Sequence, residues 1–382
     1  GGTFDITMID IKKDSVEVVC TGGDHNLGGK DWDDRIVGYM VDKYQEETET
    51  EEDILEDPDT WQDLQLSAEK AKKIMSQRDK TPISVTHGGE RVKIVLEREK
   101  FEEITADLVE RTIDFTKEML SAAEDKGYSE FDEIILVGGS TRMPQIQRRI
   151  KEEFSVTPKV FDPDEAIAKG AAIYGWKLSL NDGLIQRLAE KTKKSVEEFA
   201  NLSEMIETAQ VNPEDFKAAA QEVADDTGYT LPTIQSAMLR VKNVTSKSFG
   251  VVAHNPKNEE IVFNLVLRNT TVPISRKKNF YTAVENQQNV LIRIMESETS
   301  TVEVPLGNAV EIKTAVLNLP PDLPADLPIE ITFSLNEEGR LHITALETSE
   351  SRQVEVLLDT ASVIQGEALE KAKARSQSLV IH

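Results

Sequence analysis

Ile134-Ile135-Leu136-Val137-Gly138-Gly139-Ser140-Thr141-Arg142-Met143-Pro144 runs from a short apolar stretch through two glycines into a more polar segment. An apolar run of this length predicts a strand buried in a sheet, and the glycines lead from it into a helix. That geometry suits the flat face of a nucleotide base and its sugar, with the helix N-terminus adding favourable charge. Upstream, the apolar spacing predicts a long amphipathic helix over 99–126 and another over 61–77. Between them, residues 82–97 read as a hairpin closing on His87-Gly88-Gly89-Glu90. Trp32, Ile36, Val37, Met40, Val41 and Tyr44 share helical spacing, which places a helix over 31–44. Nearer the start, Phe4, Ile6, Met8 and Ile11 alternate with polar residues. The pattern turns at Lys12-Lys13-Asp14 and resumes at Val16, Val18 and Val19, as a β-hairpin does. The acidic stretch 46–59, with few apolar anchors, reads as an exposed, solvated loop. Helices, hairpins and a buried strand together predict an α/β domain.

Downstream the character changes twice. Over 182–240, Asp182 is a candidate helix cap and Asn212-Pro213-Glu214 is a strong helix start, with Asn as cap and Pro at the first position. Thr230-Leu231-Pro232 opens a further short helix, so this is a small helical module. From Val244 to Leu358 the period becomes two, in at least six short segments separated by turn signals, which indicates a β-sandwich. Pro320, Pro321, Pro324 and Pro328 make a rigid connection within it. The expected organisation is an α/β lobe over 1–178, a helical linker module over 179–240, a β-sandwich over 241–359 and a short helical tail over 360–382.

The bulk numbers narrow the function classes. At 382 residues, with 39% hydrophobic and 30% charged residues, the chain can build several cores without covalent staples. No apolar run approaches the ~20 residues of a membrane span. The single cysteine, Cys20, leaves no intrachain disulfide and fits a reducing compartment, so the expected location is cytoplasmic. A formal charge of −25 argues against nucleic acid and anionic membrane as partners.

Three glycine-containing segments are candidates for close approach to a phosphate or nucleotide. In Gly1-Gly2-Thr3-Phe4-Asp5 the glycines expose backbone N–H groups, Thr3 adds a hydroxyl, and Asp5 could hold magnesium through its water shell. The second is Gly22-Gly23-Asp24-His25-Asn26-Leu27-Gly28-Gly29, and the third is the segment from Val137 to Pro144. Glu69, Lys72, Lys73 and Ser76 fall at i, i+3, i+4 and i+7 on one helix face. They read either as an exposed charged stripe or as a face that closes over ribose and adenine. Asp164 stands where a helix begins and reads first as a cap.

The segments GGTFD, TGGDHNLGG, LVGGSTRMP and DPDEAIAKGAA, in this order and with SAEKAKK between the second and third, resemble the second half of the nucleotide-binding domain of seventy-kilodalton (DnaK-like) heat-shock chaperones. The resemblance implies part of an actin-like ATPase lobe binding ATP or ADP with Mg²⁺. It implies phosphate contacts from Gly1, Gly2 and Thr3, a magnesium-side and catalytic carboxylate at Asp5, and a nucleotide-facing Gly29. Glu69, Lys72, Lys73 and Ser76 would line the adenosine, with Gly138, Gly139, Ser140, Arg142 and Asp164 completing the base pocket. The family's first lobe, with its own phosphate hairpin and a lysine needed for hydrolysis, has no counterpart in this sequence. Since phosphoryl transfer needs charge stabilisation from both sides, little or no ATPase activity is expected.

The second half resembles the same family independently, through VTSKSFGV, RNTTVP, FYTA, NQQNVLI and PIEITFSLNEEGRLHITAL. It implies a cleft for extended apolar segments of unfolded proteins, with Val251, Phe280, Ala283, Val290 and Ile292 forming the pocket. A J-domain co-chaperone and a nucleotide exchange factor are partners implied by the family alone. The helical module stands where the family has a short acidic linker, and the long helical lid is nearly missing. Two other readings stay open: another actin-like phosphotransferase with an appended β-domain, and a peptide-binding scaffold indifferent to nucleotide.

Overall fold

The computed structural model describes residues 2–12, 15–199, 202–237, 240–336, 339–347 and 352–358. Gly1 and the expected tail over 360–382 lie outside the described residues. The chain divides into two compact units. The first takes Gly1–Met8, 13–15 and Gly22–Arg240, and the second takes Ile9–Lys12, Val16–Thr21 and everything from Val241.

The hairpin strands are β1 (Phe4–Ile11) and β2 (Ser15–Asp24). In the first unit α1 (Gly29–Thr48) follows, and the Asp31 carboxylate in its first turn accepts from the Gly28 N–H. Then come α2 (Pro58–Met75), capped by Asp57, the hairpin β3 (Lys80–His87) and β4 (Glu90–Glu97), and two helices α3 (Arg98–Ile104) and α4 (Ala106–Glu124). Trp32, Ile36 and Met40 of α1 meet Leu64, Ala68, Ala71 and Met75 of α2 in one buried cluster with Ile83, Val85, Ile94, Leu96 and Phe101. These are the i, i+3/i+4 positions that helical spacing aims at one face.

Several expectations are corrected here. The single helix over 99–126 is two, broken at Thr105, whose hydroxyl donates to the Phe101 carbonyl and so competes with the helix ladder. The acidic stretch is not a free loop: α1 runs on to Thr48, and Ile54 is fully buried on a short 3₁₀ turn. The strand at Ile134–Val137 shrinks to β5 (Ile135–Leu136), parallel to β6 (Lys159–Val160), and Ile135 is 56% exposed. Among the described residues β5 pairs with β6 alone, so neither a second edge partner nor a covering layer buries it. Asp182 caps nothing, because α6 (Ala166–Thr192) runs straight through it and across the expected boundary at 178/179.

Past α5 (Pro144–Phe154), α6 joins α7 (Leu202–Glu207), α8 (Pro213–Thr227) and α9 (Leu231–Ala237) around a separate core of Leu184, Leu188, Phe199, Ala220, Val223 and Ile234. Asn212 caps α8, its side chain accepting from the Glu214 N–H.

In the second unit the short β7 (Arg240–Lys242) joins the hairpin in the order β1-β2-β7, and Lys242 pairs with Glu17. The other strands are β8 (Ser248–His254), β9 (Glu260–Val266), β10 (Ile274–Tyr281), β11 (Asn289–Ser297) and β12 (Glu303–Pro305). They continue as β13 (Ala309–Asn318), β14 (Pro328–Leu335), β15 (Leu341–Glu347) and β16 (Arg352–Leu358). They form a five-stranded sheet, β12-β9-β8-β11-β13, and a four-stranded sheet, β10-β14-β15-β16. Strict alternation on β14 and β15 turns Ile329, Ile331, Phe333, Ile343 and Ala345 toward Val251, Ile292 and Leu317 of the other sheet, so one apolar layer is shared.

Gly250 sits at a register shift where β8 crosses close to β9, and a Cβ there would stand 2.2 Å from the Phe263 carbonyl oxygen. Gly250→Ala is expected to cost the second unit about 2 kcal/mol or more in urea unfolding. Gly307→Ala, with nothing within 4 Å of the added methyl, should change stability by less than about 0.5 kcal/mol.

Candidate functional site

The sequence-predicted nucleotide residues fall into three groups in the first unit. At the start of β1, Gly2, Thr3 and Asp5 are exposed, and the Thr3 hydroxyl donates to the Asp5 carboxylate at 3.2 Å. Open space surrounds Gly2, so its backbone can be approached. The second group joins α1 to α2. Gly29 is buried at the first turn of α1, and Glu69, Lys72, Lys73 and Ser76 follow one another on α2.

Within that group the residues divide. Glu69 and Lys73 pair with each other at 2.7 Å on the exposed side, each holding the other in its charged form. Lys72 turns inward: its ammonium donates to Asp33 at 2.8 Å and to the Gly29 carbonyl at 2.6 Å. Asp33 is a buried carboxylate whose second oxygen, Oδ1, has no partner. Burial pushes its carboxyl above the usual range, and the Lys72 contact pulls it part of the way back. Ser76 donates its hydroxyl to the Lys73 carbonyl and ends the helix.

The third group is the turn after β5. Gly138 takes a φ of 91°, a conformation that favours glycine, and its N–H donates to the Pro163 carbonyl. Gly139, Ser140 and Arg142 form a 3₁₀ turn, and Arg142 reaches across to Asp164 at 2.5 Å. Asp164 therefore does not cap α6, whose cap position is Glu165 without a side-chain bond. Among the described residues no hydrogen bond or ion pair links one of these three groups to another, and no cluster of three or more His, Cys, Asp or Glu suits a metal ion. A lone carboxylate such as Asp5 remains compatible with magnesium, which keeps most of its waters.

The peptide-side candidates lie together in the second unit. Val251 and Ile292 are buried in the layer shared by the two sheets, and Phe280 and Val290 are half-buried against the same layer. Phe280 also meets Phe263 edge-on, with ring centroids 6.0 Å apart, and Lys278 stands over the Phe263 ring. Ala283 is exposed in the loop after β10, where its N–H donates to the Gln287 side chain.

Sequence reading missed Asp33. A signal existed, because Asp33 occurs at i−3 and i−4 from Ile36 and Val37 on the apolar face of α1, where a charge needs a buried partner.

An HSP70 family model, described as Hsp70 protein, matches residues 1–184 and 190–380, and the chain belongs to that family. Heat shock protein hsp-6 of Caenorhabditis elegans is 28% identical over 378 residues, covering 97% of this chain and 48% of that protein. The chain thus spans about half the length of the curated relative it matches. No described helix is long and apolar enough to cross a membrane.

Lys72→Met would strand the Asp33 carboxylate without its partner and is expected to cost about 3 kcal/mol at pH 7.5 in denaturant unfolding. Asp33 has its folded-state pKa raised, so its charge opposes folding as pH rises above the unfolded value of ~3.9. The loss should therefore shrink at pH 5, as the buried carboxyl takes up a proton. An equal loss at both pH values would count against this account.

Proposed function

We propose that this chain is a molecular chaperone whose β-rich unit holds extended apolar segments of unfolded proteins. The observation that carries the reading is the gathering of Val251, Phe280, Val290 and Ile292 on one apolar layer between two sheets. An extended peptide can add main-chain hydrogen bonds beside such a layer and lower one side chain into it. Burying one leucine-sized side chain supplies ~1.5–3 kcal/mol, so affinity is modest and tolerant of sequence. Ala283 adds a small exposed contact at the loop.

The first unit is the family's partial actin-like lobe in this reading. ATP or ADP with Mg²⁺ would meet Gly1, Gly2, Thr3 and Asp5 at the phosphates, and Gly29, Glu69, Lys73 and Ser76 at the adenosine. Gly138, Gly139, Ser140, Arg142 and Asp164 would meet the base, while Lys72 needs release from Asp33 before it can contribute. When bound, the nucleotide supplies a transferable phosphoryl group. A J-domain co-chaperone, a nucleotide exchange factor and a cytoplasmic location follow from the same resemblance.

A fluorescent, leucine-rich extended peptide tests the reading directly. Saturable binding is expected, and Val290→Asp should weaken it by about tenfold or more while circular dichroism is unchanged. Mg-ATP should leave binding unaltered, and ATP turnover should stay near background. Absence of peptide binding by the folded protein would overturn the proposal.

A further inference from the structure

Strand β10 carries Arg276, Lys277 and Lys278 in succession, in a chain whose formal charge is −25. From Arg268 to Val284 the sequence holds no acidic residue. The register with β14 sorts the three cations by face. Arg276 lies opposite Phe333, Lys278 opposite Ile331 and Phe280 opposite Ile329, and those three partners are buried in the layer shared by the two sheets. Directly opposed residues share a face, so Arg276 and Lys278 stand on the same side of β10 as Phe280. Lys277 stands on the other side, where it pairs with Glu330 at 3.0 Å.

Because β10 is the end strand of its sheet, this face lies at the margin of the apolar layer, and Arg276 and Lys278 are exposed there. The Lys278 ammonium lies 3.8 Å from the centre of the Phe263 ring. That ring meets Phe280 edge-on and stands opposite Val251 in the β8–β9 register. One cation therefore rests on a ring that neighbours two candidate pocket residues. Among the described residues neither Arg276 nor Lys278 has a carboxylate partner. Glu303 of β12 is opposite Phe263 on the same face, and it too is exposed and forms no ion pair with either. Beside an apolar layer the effective dielectric falls, so an unpaired cation there attracts a carboxylate more than one in open water does.

We propose that Arg276 and Lys278 give the peptide site a preference for extended segments with Asp or Glu beside the apolar anchor. This rests on the chaperone reading and names the class of segment that the same site takes. Strands rise ~3.3 Å per residue, which puts Lys278 and Arg276 roughly 7 and 13 Å from Phe280 along β10. A bound extended chain has the same rise, so carboxylates about two to four residues from the anchor come within reach. Arg276 holds one in its planar fork, and Lys278 holds one as a point charge. The overall charge of −25 acts in the opposite sense and would draw lysine-flanked segments. The local and the overall electrostatics thus differ in the sign of the preference.

Three fluorescent peptides with one leucine-rich core, flanked by glutamates, glutamines or lysines, test it on the full chain at low salt. The glutamate-flanked peptide should bind about three- to ten-fold more tightly than the lysine-flanked one, the range of two part-exposed ion pairs. Arg276→Gln should lower that ratio while the glutamine-flanked peptide binds as before. Lys278→Met, which keeps an apolar stem over the Phe263 ring, should do the same. Lys277→Gln, on the opposite face of β10, should leave the ratio unchanged. A lysine-flanked peptide that binds as tightly or more tightly overturns the inference and leaves the chaperone reading standing, as does an equal loss of preference in Lys277→Gln. Binding of none of the three peptides overturns both.

Discussion

Strand pairing is the constraint on which both units of this protein turn. A backbone N–H or C=O that leaves water must find a partner, and a strand is secure when it is paired along its edges and covered on a face. In the second unit this condition is met broadly: β8, β9 and β11 sit inside the five-stranded sheet, and β14 and β15 sit inside the four-stranded one. Their alternating residues then close on one dry layer. In the first unit the condition is met by helices packing on a hairpin, through Trp32, Met40, Leu64 and Phe101, while β5 and β6 form only a two-residue pair.

That difference explains what could be read from the sequence and what could not. Period-two runs such as Pro328–Leu335 and Leu341–Glu347 announce a half-buried strand by themselves, and the structure has strands β14 and β15 there. The hairpin at His87–Glu90 and the Asn212-Pro213 helix start were legible for the same reason, since the local turn and cap chemistry decides them. Ile134–Val137 was misread as buried because an apolar run gives composition and not neighbours. Its burial depends on a layer supplied from elsewhere, and Ile135 and Val137 stay exposed. The break at Thr105 was missed because α3 and α4 continue a similar apolar rhythm on either side of it. Among the candidate site residues, the Glu69–Lys73 pair was visible from its i, i+4 spacing, whereas the inward turn of Lys72 required knowing that α1 offers Asp33.

Charge is arranged unevenly across the same architecture. With a formal charge of −25, most acids must be solvated or paired at the surface, and exposed pairs such as Lys43–Glu46 add little stability. The Asp33–Lys72 pair is of another kind. It lies in the interior between α1 and α2, and losing either partner leaves a charge with nowhere to go. It therefore specifies how the two helices sit together more than it strengthens them. The Gly29 carbonyl, bound by the same ammonium, brings the start of α1 into that arrangement.

The two halves of the family's function rest on unequal supports. The turn Gly139–Arg142 is held by a backbone bond from Gly138 to Pro163, by the Gln147 side chain donating to the Thr141 carbonyl, by Thr141 donating to the Gly138 carbonyl, and by an Arg142–Asp164 pair that is about half exposed on one side and more on the other. An exposed pair of this type is worth about 1 kcal/mol or less. Beside it, Phe161, Ile167 and Ile173 are all more than 60% exposed. A nucleotide site needs donors fixed before the ligand arrives, since preorganisation is what makes fixed dipoles effective. Val251 and Ile292 are fixed in that sense by the shared core around them, and Gly138 to Arg142 by local hydrogen bonds and one exposed ion pair. The apolar layer around Val251 and Ile292 is thus the more fully preorganised of the two candidate sites.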